Sequence, residues 1–295
     1  MHILLHAGVH ATDEDRLIKC LLKNTPLLQG EGVAVPGPSR YRRLLRDTLQ
    51  AMADGSPTAD ARGILLDTIL EGETPDRMIL SNDNFFGVPR LAVGKGVFYP
   101  GAEIKLARLR QLFPRDHLQL CLGLRNPGTF LPALRSLAPD PEDDSDGAAL
   151  PAPADPRDLR WSELLARIRQ TVPDLEITLW CNEDTPLLWA HLIRELTGLP
   201  PQTKITGGFD LLSEIMSKPG MQRFRGFLKK HPNMNEMQKR RVITAFLDKY
   251  ALDDAVSEEV DMPGWTDELI EDLTQLYDED LHLIQRMPGV ELVTP

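Results

Sequence analysis

The sequence is poor in cysteine and aromatic residues, has no long apolar run, and carries fewer basic than acidic residues. Its three cysteines, Cys20, Cys121 and Cys181, lie in apolar segments without the spacing of metal ligands. We interpret them as buried free thiols, which fits a reducing compartment and a cytoplasmic location. The N-terminal apolar run is short and lacks a basic lead-in, so we expect neither a signal peptide nor a membrane span.

The charge balance limits the classes of partner. The 295 residues include 44 acidic and 33 basic side chains, for a formal net charge of −11. Nucleic-acid-binding proteins are usually basic, so we expect no nucleic-acid partner. The length permits one large domain or two small ones with a substantial core.

Short apolar segments alternate with helical patterns along the first two thirds of the chain. The segments that predict buried strands are residues 2–6, 77–81, 118–124 and 176–180. Helical patterns cover residues 12–29, 41–53, 103–113, 130–137, 161–171 and 186–197. This alternation predicts an α/β protein with a parallel sheet of about four or five strands flanked by helices. In such sheets ligands bind beyond the carboxyl ends of the strands.

The remaining segments differ in composition. Residues 138–158 are rich in proline and acidic residues, and we interpret them as a mobile insertion in a core that covers residues 1–200. Residues 201–295 predict a mostly helical C-terminal region packed on that core. Within it, residues 218–241 are basic and residues 251–285 are acidic. The two charged faces are either solvated or facing each other, or the basic face lines a groove for an acidic ligand.

The first predicted strand leads through a glycine-bearing turn into a helix, which is the arrangement of a nucleotide-phosphate site. Three acidic residues follow Thr12, where such a site usually has glycine, hydroxyls and a cation. The structural interpretation is that Thr12 is the N-cap of the helix and that Asp15 completes a capping box. The alternative is that the acidic turn holds a divalent metal or a cationic ligand.

Four stretches of the sequence resemble bacterial sulfotransferases. They are residues 5–12, with His6, Gly8 and His10; residues 27–38, ending in Val-Pro-Gly-Pro; residues 79–87; and residues 118–127, ending in Arg-Asn-Pro. The resemblance implies the P-loop nucleotide-binding fold. It also implies transfer of a sulfuryl group from 3′-phosphoadenosine-5′-phosphosulfate to a hydroxyl acceptor on a small molecule or carbohydrate.

By this resemblance, Arg125 and a serine on the following helix hold the 3′-phosphate of the cofactor. The serine position is Ala133 here, and Ser136 is the nearest hydroxyl that can replace it. A guanidinium at a strand end suits bidentate anion binding, and the alternative for Arg125 is a salt bridge to nearby acids.

The first turn would hold the 5′-phosphosulfate, and it departs from the family pattern. Ala11 stands in the position of the family's Lys or Arg, and Asp13 replaces its glycine. Of the hydroxyl residues only Thr12 is retained. Acidic groups here stabilise the helix N-terminus and repel a phosphosulfate. The resemblance therefore predicts the fold together with a degenerate cofactor loop.

Two residues are candidates for proton transfer to and from the acceptor. Asp83 follows the second predicted strand and is our candidate general base, with an Asx-type turn as the structural alternative. His10 lies in the first turn and is the second candidate, against a role as a hydrogen-bonded structural histidine. The sequence leaves two hypotheses: a sulfotransferase with a drifted loop, or a non-catalytic relative that binds a ligand, a protein partner or a second copy of itself.

Overall fold

A six-stranded parallel sheet forms the centre of the structure. The computed structural model describes residues 1–53, 55–137, 155–256 and 262–295. The sheet has the order β2-β3-β1-β6-β7-β8, and a separate antiparallel pair is formed by β4 and β5. The strands are β1 (His2–His6), β2 (Val33–Ala34), β3 (Arg77–Ser81), β4 (Val93–Gly94), β5 (Val97–Phe98), β6 (His117–Leu124), β7 (Glu176–Cys181) and β8 (Val290–Val293).

Helices cover both faces of the sheet and make up most of the C-terminal part. They are α1 (Arg16–Lys23), α2 (Thr25–Gly30), α3 (Pro38–Ala51), α4 (Ala61–Leu70), α5 (Ala102–Leu112), α6 (Pro127–Leu137), α7 (Trp161–Thr171), α8 (Thr185–Thr197), α9 (Asp210–Ile215), α10 (Lys218–Lys230), α11 (Glu236–Tyr250), α12 (Asp253–Val256) and α13 (Asp267–Ile284). In the described residues, no helix is long and apolar enough to cross a membrane.

The α/β class, the parallel sheet and the helical C-terminal part are confirmed. The four predicted strands are β1, β3, β6 and β7, the four adjacent central strands of the sheet. The outer strands β2 and β8 were missed because they are only two and four residues long. The helix predicted over residues 12–29 is wrong in its start, since α1 begins at Arg16. Most of the predicted insertion, residues 138–154, lies outside the described residues.

Side chains that alternate along the strands build two cores, one on each face of the sheet. Ile3 and Leu5 of β1 belong to the larger core, beneath helices such as α5 and α7. Leu4 points the other way, into a core with residues of α1 and α8. A third cluster, around Phe224 and Ile243, holds the C-terminal helices together. This two-sided burial explains why the strands are continuously apolar.

The C-terminal part completes the α/β core. Helix α13 packs against α6 and α7, and the chain then returns to the sheet as β8 beside β7. The Asp280 carboxylate at 2 % exposure accepts the backbone N–H of Trp161 at 2.7 Å. The three cysteines are buried and free, and burial raises the pKa of the Cys20 and Cys181 thiols to about 11.

A glycine in β6 lets an aromatic side chain lie across the sheet. Gly123 is the register partner of Trp180 in β7, and a Cβ at Gly123 would stand 2.9 Å from Trp180 Nε1. The indole therefore lies over the glycine and stacks on the His6 ring, with a centroid separation of 5.7 Å. His6 Nδ1 is in turn 2.9 Å from the hydroxyl of Ser81 in β3. One layer of side chains thus links four neighbouring strands near their carboxyl ends.

We expect Gly123→Ala to lower the free energy of unfolding by about 1–3 kcal/mol, because the added methyl group displaces the Trp180 indole from His6. Urea unfolding followed by far-UV circular dichroism measures the change. Gly63→Ala is the matched control, since nothing lies within 4 Å of its Cβ position in α4. The control is expected to be neutral or stabilising by up to about 1 kcal/mol. An unchanged midpoint for Gly123→Ala would contradict this account.

Candidate functional site

The carboxyl ends of the central strands meet at one edge of the sheet and bring most of the predicted site residues together. His10 and Thr12 follow β1, Asp83 follows β3, and Arg125 follows β6. Ser136 lies elsewhere, in the last turn of α6, about 13 Å along the helix axis from its first residue. Its exposed hydroxyl is 3.3 Å from the Pro132 carbonyl.

The topology places the expected ligand crevice between β1 and β6. Strand β1 has β3 on one side and β6 on the other. After β1 the chain first adds β2 and β3 on one side, and then adds β6, β7 and β8 on the other. Ligands of open parallel sheets bind at such a reversal of strand order. Here the crevice lies between the loop of residues 7–15, which we call the first loop, and the residues after β6.

Hydrogen bonds to β6 hold the start of the first loop. The N–H groups of Ala7 and Val9 donate to the carbonyls of Cys121 and Gly123 at 3.1 and 3.2 Å. Gly8 has a φ of 95°, and its Cβ position is 3.5 Å from the Asp83 Cα, so a side chain would meet the neighbouring backbone. These three residues continue the sheet and do not form an open cradle for a phosphate.

Arg125 fixes the middle of the first loop. Its guanidinium donates to the Ala11 carbonyl, and its Nε donates to the hydroxyl of Thr129 at 3.1 Å. The Arg125 backbone carbonyl accepts the indole N–H of Trp161 at 2.9 Å. The hydroxyl beside Arg125 is therefore Thr129, four residues later in α6. Sequence reasoning missed it, although a hydroxyl residue in the first turn of the helix that follows the strand is a usable signal.

The end of the first loop corrects the predicted capping arrangement. Thr12 does not cap the helix, because its hydroxyl donates to the Val9 carbonyl at 2.6 Å. Glu14 and Asp15 have φ values of 50° and 61°, so helical geometry cannot begin before Arg16. The Asp15 carboxylate forms an ion pair of 2.5 Å with the guanidinium of Arg42 in α3.

Asp13 supplies the negative charge at the N-terminus of α1. Its carboxylate accepts the Leu17 N–H at 2.8 Å, which satisfies one of the free amides of the first turn. Burial raises the pKa of Asp13, and the nearby His6 imidazole acts in the opposite direction. A side-chain carboxylate therefore occupies the position in which a bound anion would contact the helix.

The acidic turn does not form a metal site among residues 1–53, 55–137, 155–256 and 262–295, because no group of three potential ligand side chains converges there or elsewhere in those ranges. Asp13 is directed to the helix amide and Asp15 to Arg42. The side chains of successive residues diverge, so the three acids cannot share one cation.

His10 is a buried imidazole that is hydrogen-bonded to a tyrosine and is not an exposed base. The Tyr99 hydroxyl accepts the His10 backbone N–H at 3.1 Å and lies 2.9 Å from His10 Nδ1. The hydroxyl has two lone pairs and one proton, so beside the backbone N–H it can form a hydrogen bond with either tautomer of the ring. Burial lowers the pKa of His10, while the Asp83 carboxylate acts in the opposite direction. The two predicted proton carriers therefore lie close enough to interact electrostatically.

A cleft with a strongly basic lining opens beside the carboxyl end of β3. Its volume is about 1040 Å³, and its walls are α3, α5 and the segment that follows β3. Six cationic side chains line it, and no acidic side chain from the described part of the chain does so. They are Arg42, Arg43, Arg46, Arg90, Lys105 and Arg108. We call this feature the basic cleft.

The cations of the two helical walls differ in their partners. On α3, Arg42 is paired with Asp15, and Arg43 and Arg46 share the exposed carboxylate of Asp47, at 3.5 and 2.9 Å. On α5, Lys105 and Arg108 donate to the backbone carbonyls of Phe85 and Leu49, at 3.1 and 3.3 Å. Burial and the charge of Arg108 lower the pKa of Lys105. Positive charge is thus incompletely neutralised on the α5 wall.

Stability is expected to fall as the pH drops below about 6.5, because the pKa values of His6 and His10 are lowered by burial. Below that pH the unfolded chain takes up protons that the folded chain does not, by up to about 1.4 kcal/mol per pH unit and site. Urea midpoints at pH 7 and 5.5 measure the loss. His10→Asn keeps a hydrogen-bonding partner for the Tyr99 hydroxyl and removes the titrating group, so its loss of stability should be smaller than that of the unmodified protein.

The comparison isolates His10, because the raised pKa of Asp13 acts equally in both proteins. For that acid the sign is opposite, since its contribution to stability declines as the pH rises towards its folded pKa. An equal loss of stability in both proteins would contradict a neutral buried His10.

No protein-family model matches the chain, and no curated protein or solved structure was found to be similar to it. The resemblance in the sequence motifs therefore stays a prediction, and the functional argument depends on the geometry of the strand ends and of the basic cleft.

Proposed function

We propose that the protein binds a polyanionic ligand in the basic cleft. The observation that carries this proposal is the lining itself, in which six cations and no described acid stand in a chain of net charge −11. The overall charge repels anions at long range, so an anion is held only where the local charge is reversed. The cleft lies at the strand edge, where ligands of parallel sheets bind.

The arrangement favours a ligand with two or more phosphate or sulfate groups. Arg43 and Arg46 present cations from α3, beside Arg42, which is paired with Asp15, while Lys105 and Arg108 present them from α5. An extended anion lying between the helices can contact both walls. Guanidinium groups bind phosphate and sulfate oxygens in bidentate fashion, and such charge-assisted hydrogen bonds are stronger than neutral ones.

The apolar part of the lining fits a ligand that is more than a bare inorganic ion. Phe85 and Leu49 form part of the wall, and Val88 and Leu91 are 43 % and 53 % exposed beside it. Exposed apolar side chains next to cations are suited to the body of a sugar, base or acyl group.

Isothermal titration calorimetry with inorganic tripolyphosphate and with a sulfated oligosaccharide tests the proposal. We expect saturable binding that weakens as salt is added. Arg46→Gln combined with Arg108→Gln removes one charge from each wall and should weaken binding by about tenfold or more per charge. Arg286→Gln, an exposed arginine outside the cleft, is the control for a change in net charge.

Two results would contradict the proposal that the basic cleft binds a polyanion. One is the lack of saturable binding of either probe by the unmodified chain at low salt. The other is an equal loss of affinity in the Arg286→Gln control and in a single cleft variant such as Arg108→Gln, which would assign the effect to net charge.

Sulfuryl transfer from 3′-phosphoadenosine-5′-phosphosulfate to a hydroxyl acceptor is a second candidate function. The observation that favours it is the convergence of Arg125, Thr12, His10 and Asp83 at one strand edge beside the basic cleft. In this reaction the acceptor oxygen bonds to sulfur while the bond between sulfur and the 5′-phosphate oxygen breaks. Asp83 takes the hydroxyl proton, and 3′-phosphoadenosine-5′-phosphate leaves. The phosphosulfate would need the Leu17 amide that Asp13 now occupies, so the first loop must open to admit it.

Titration with 3′-phosphoadenosine-5′-phosphate tests the second candidate separately. If it holds, the unmodified chain binds the compound, Arg125→Ala loses about tenfold or more in affinity, and the double cleft variant binds normally. Arg135→Gln, an exposed arginine in α6, is the matched control. A titration of the unmodified chain that gives no heat, at two temperatures, would remove sulfuryl transfer and leave the polyanion proposal standing.

A further inference from the structure

A second basic pocket lies in the C-terminal half of the chain and shares no lining residue with the basic cleft. It is formed by α8, the segment of residues 202–210, α10 and α11, and its volume is about 530 Å³. We call it the helical groove. It combines cations with an apolar surface that includes Trp189, Phe209 and Leu228. Volumes of this size are typical of small-molecule sites.

Cations outnumber acids in the helical groove, and both acids are already engaged. The lysines and arginines of the lining are Arg194, Lys204, Arg225, Lys229, Lys239 and Arg240. Asp210 pairs with Lys23 at 2.6 Å. Glu236 is shared between Arg194 and Lys239, at 2.7 Å from each. Because one carboxylate is shared by two cations, part of their positive charge is not neutralised.

Two guanidinium groups of the groove have buried N–H donors without an acceptor. The Arg194 side chain is 7 % exposed, and its Nη1 donates to the Thr203 carbonyl at 3.3 Å. The Arg240 Nη1 donates to the Thr294 carbonyl at 3.0 Å. The Nε atoms of both are buried and have no hydrogen-bond partner among the described residues. Leaving a buried charged donor unsatisfied is costly, and an oxyanion supplies the missing acceptor.

The two guanidinium groups also act on each other. The positive charge of Arg240 lowers the pKa of Arg194, in the same direction as burial, and lowers that of the half-buried His191 as well. Cations on α8 and α11 therefore lie near one another, and the carboxylates around them do not fully neutralise their charge. A bound anion would relieve both the repulsion and the unsatisfied donors.

We propose that the helical groove binds a small organic anion with one oxyanion head and an apolar body. The head, a carboxylate or a phosphate, accepts hydrogen bonds from Arg194 and Arg240. The body packs against the apolar wall around Trp189 and Phe209. This site is independent of the basic cleft, and it gives the basic segment of residues 218–241 a role as one wall of a ligand site.

Calorimetric titration of the full chain with octanoate, octyl phosphate and neutral octanol tests the proposal. We expect at least one of the two anions to bind at a single site, at least tenfold more tightly than octanol. Tighter binding of octyl phosphate shows that the site prefers a phosphate head group, and tighter binding of octanoate shows that it prefers a carboxylate. Either result supports an oxyanion site.

Two variants of the groove should change affinity in opposite directions. Arg240→Gln removes one donor and should weaken binding of the anion about tenfold. Glu236→Gln removes the internal carboxylate that competes for Arg194 and Lys239, and should strengthen binding about tenfold. A purely structural role for Glu236 predicts no such gain. Arg241→Gln, on the next residue and outside the groove, should leave the affinity within twofold of the unmodified value.

Several outcomes would overturn the proposal. They are no saturable binding of either anion, equal affinity for octanol, a loss in Arg241→Gln as large as in Arg240→Gln, or full competition by a hexaglutamate peptide, which would indicate a protein partner. Circular dichroism checks that each variant is folded, and Lys239→Gln replaces Arg240→Gln if the latter is not. The double cleft variant should bind octanoate normally, so the two proposals fail separately.

Discussion

Two arginines clamp the first loop, and the chemistry of the strand edge depends on that clamp. Arg125 reaches the loop from the end of β6 and contacts the Ala11 carbonyl, while Arg42 reaches it from α3 and pairs with Asp15. Between them, Asp13 occupies the N-terminus of α1. Cations and amides that would bind a phosphate in an open loop are engaged by groups of the chain itself. The strand, turn and helix of a phosphate site are present, but the Asp13 carboxylate occupies the position that a bound anion would take.

This closure moves the available positive charge to other parts of the molecule. An acidic chain gains little from positive charge that is spread evenly over its surface, because the excess of acids neutralises it. Here α3 and α5 gather cations into the basic cleft, and α8, α10 and α11 gather them into the helical groove. In both places an apolar wall stands next to the cations. The two proposals therefore share one physical basis, a local reversal of the sign of the net charge.

The site was only partly predictable from the sequence. Arg125 was selected because a guanidinium follows a strand, and the structure places it at the crevice; however, its partners include the Ala11 carbonyl and Thr129 of the chain itself. The cations of the basic cleft could not be grouped from the sequence, since they come from three segments that only packing brings together. Thr12 was assigned as a cap because of its residue type, and the left-handed conformations of Glu14 and Asp15 moved the helix start beyond it.

What the sequence determined by itself is the class of fold and the four central strands. Short apolar runs separated by helical patterns can be buried on both faces only within a parallel sheet covered by helices. The short outer strands, by contrast, exist because β3 and β7 offer free edges to them, as β8 shows by pairing with β7 from more than a hundred residues away. Tertiary structure alone decided which charges neutralise each other and which are left over. The physical reason is that an ion pair depends on distances of a few ångströms between residues that lie far apart in the chain.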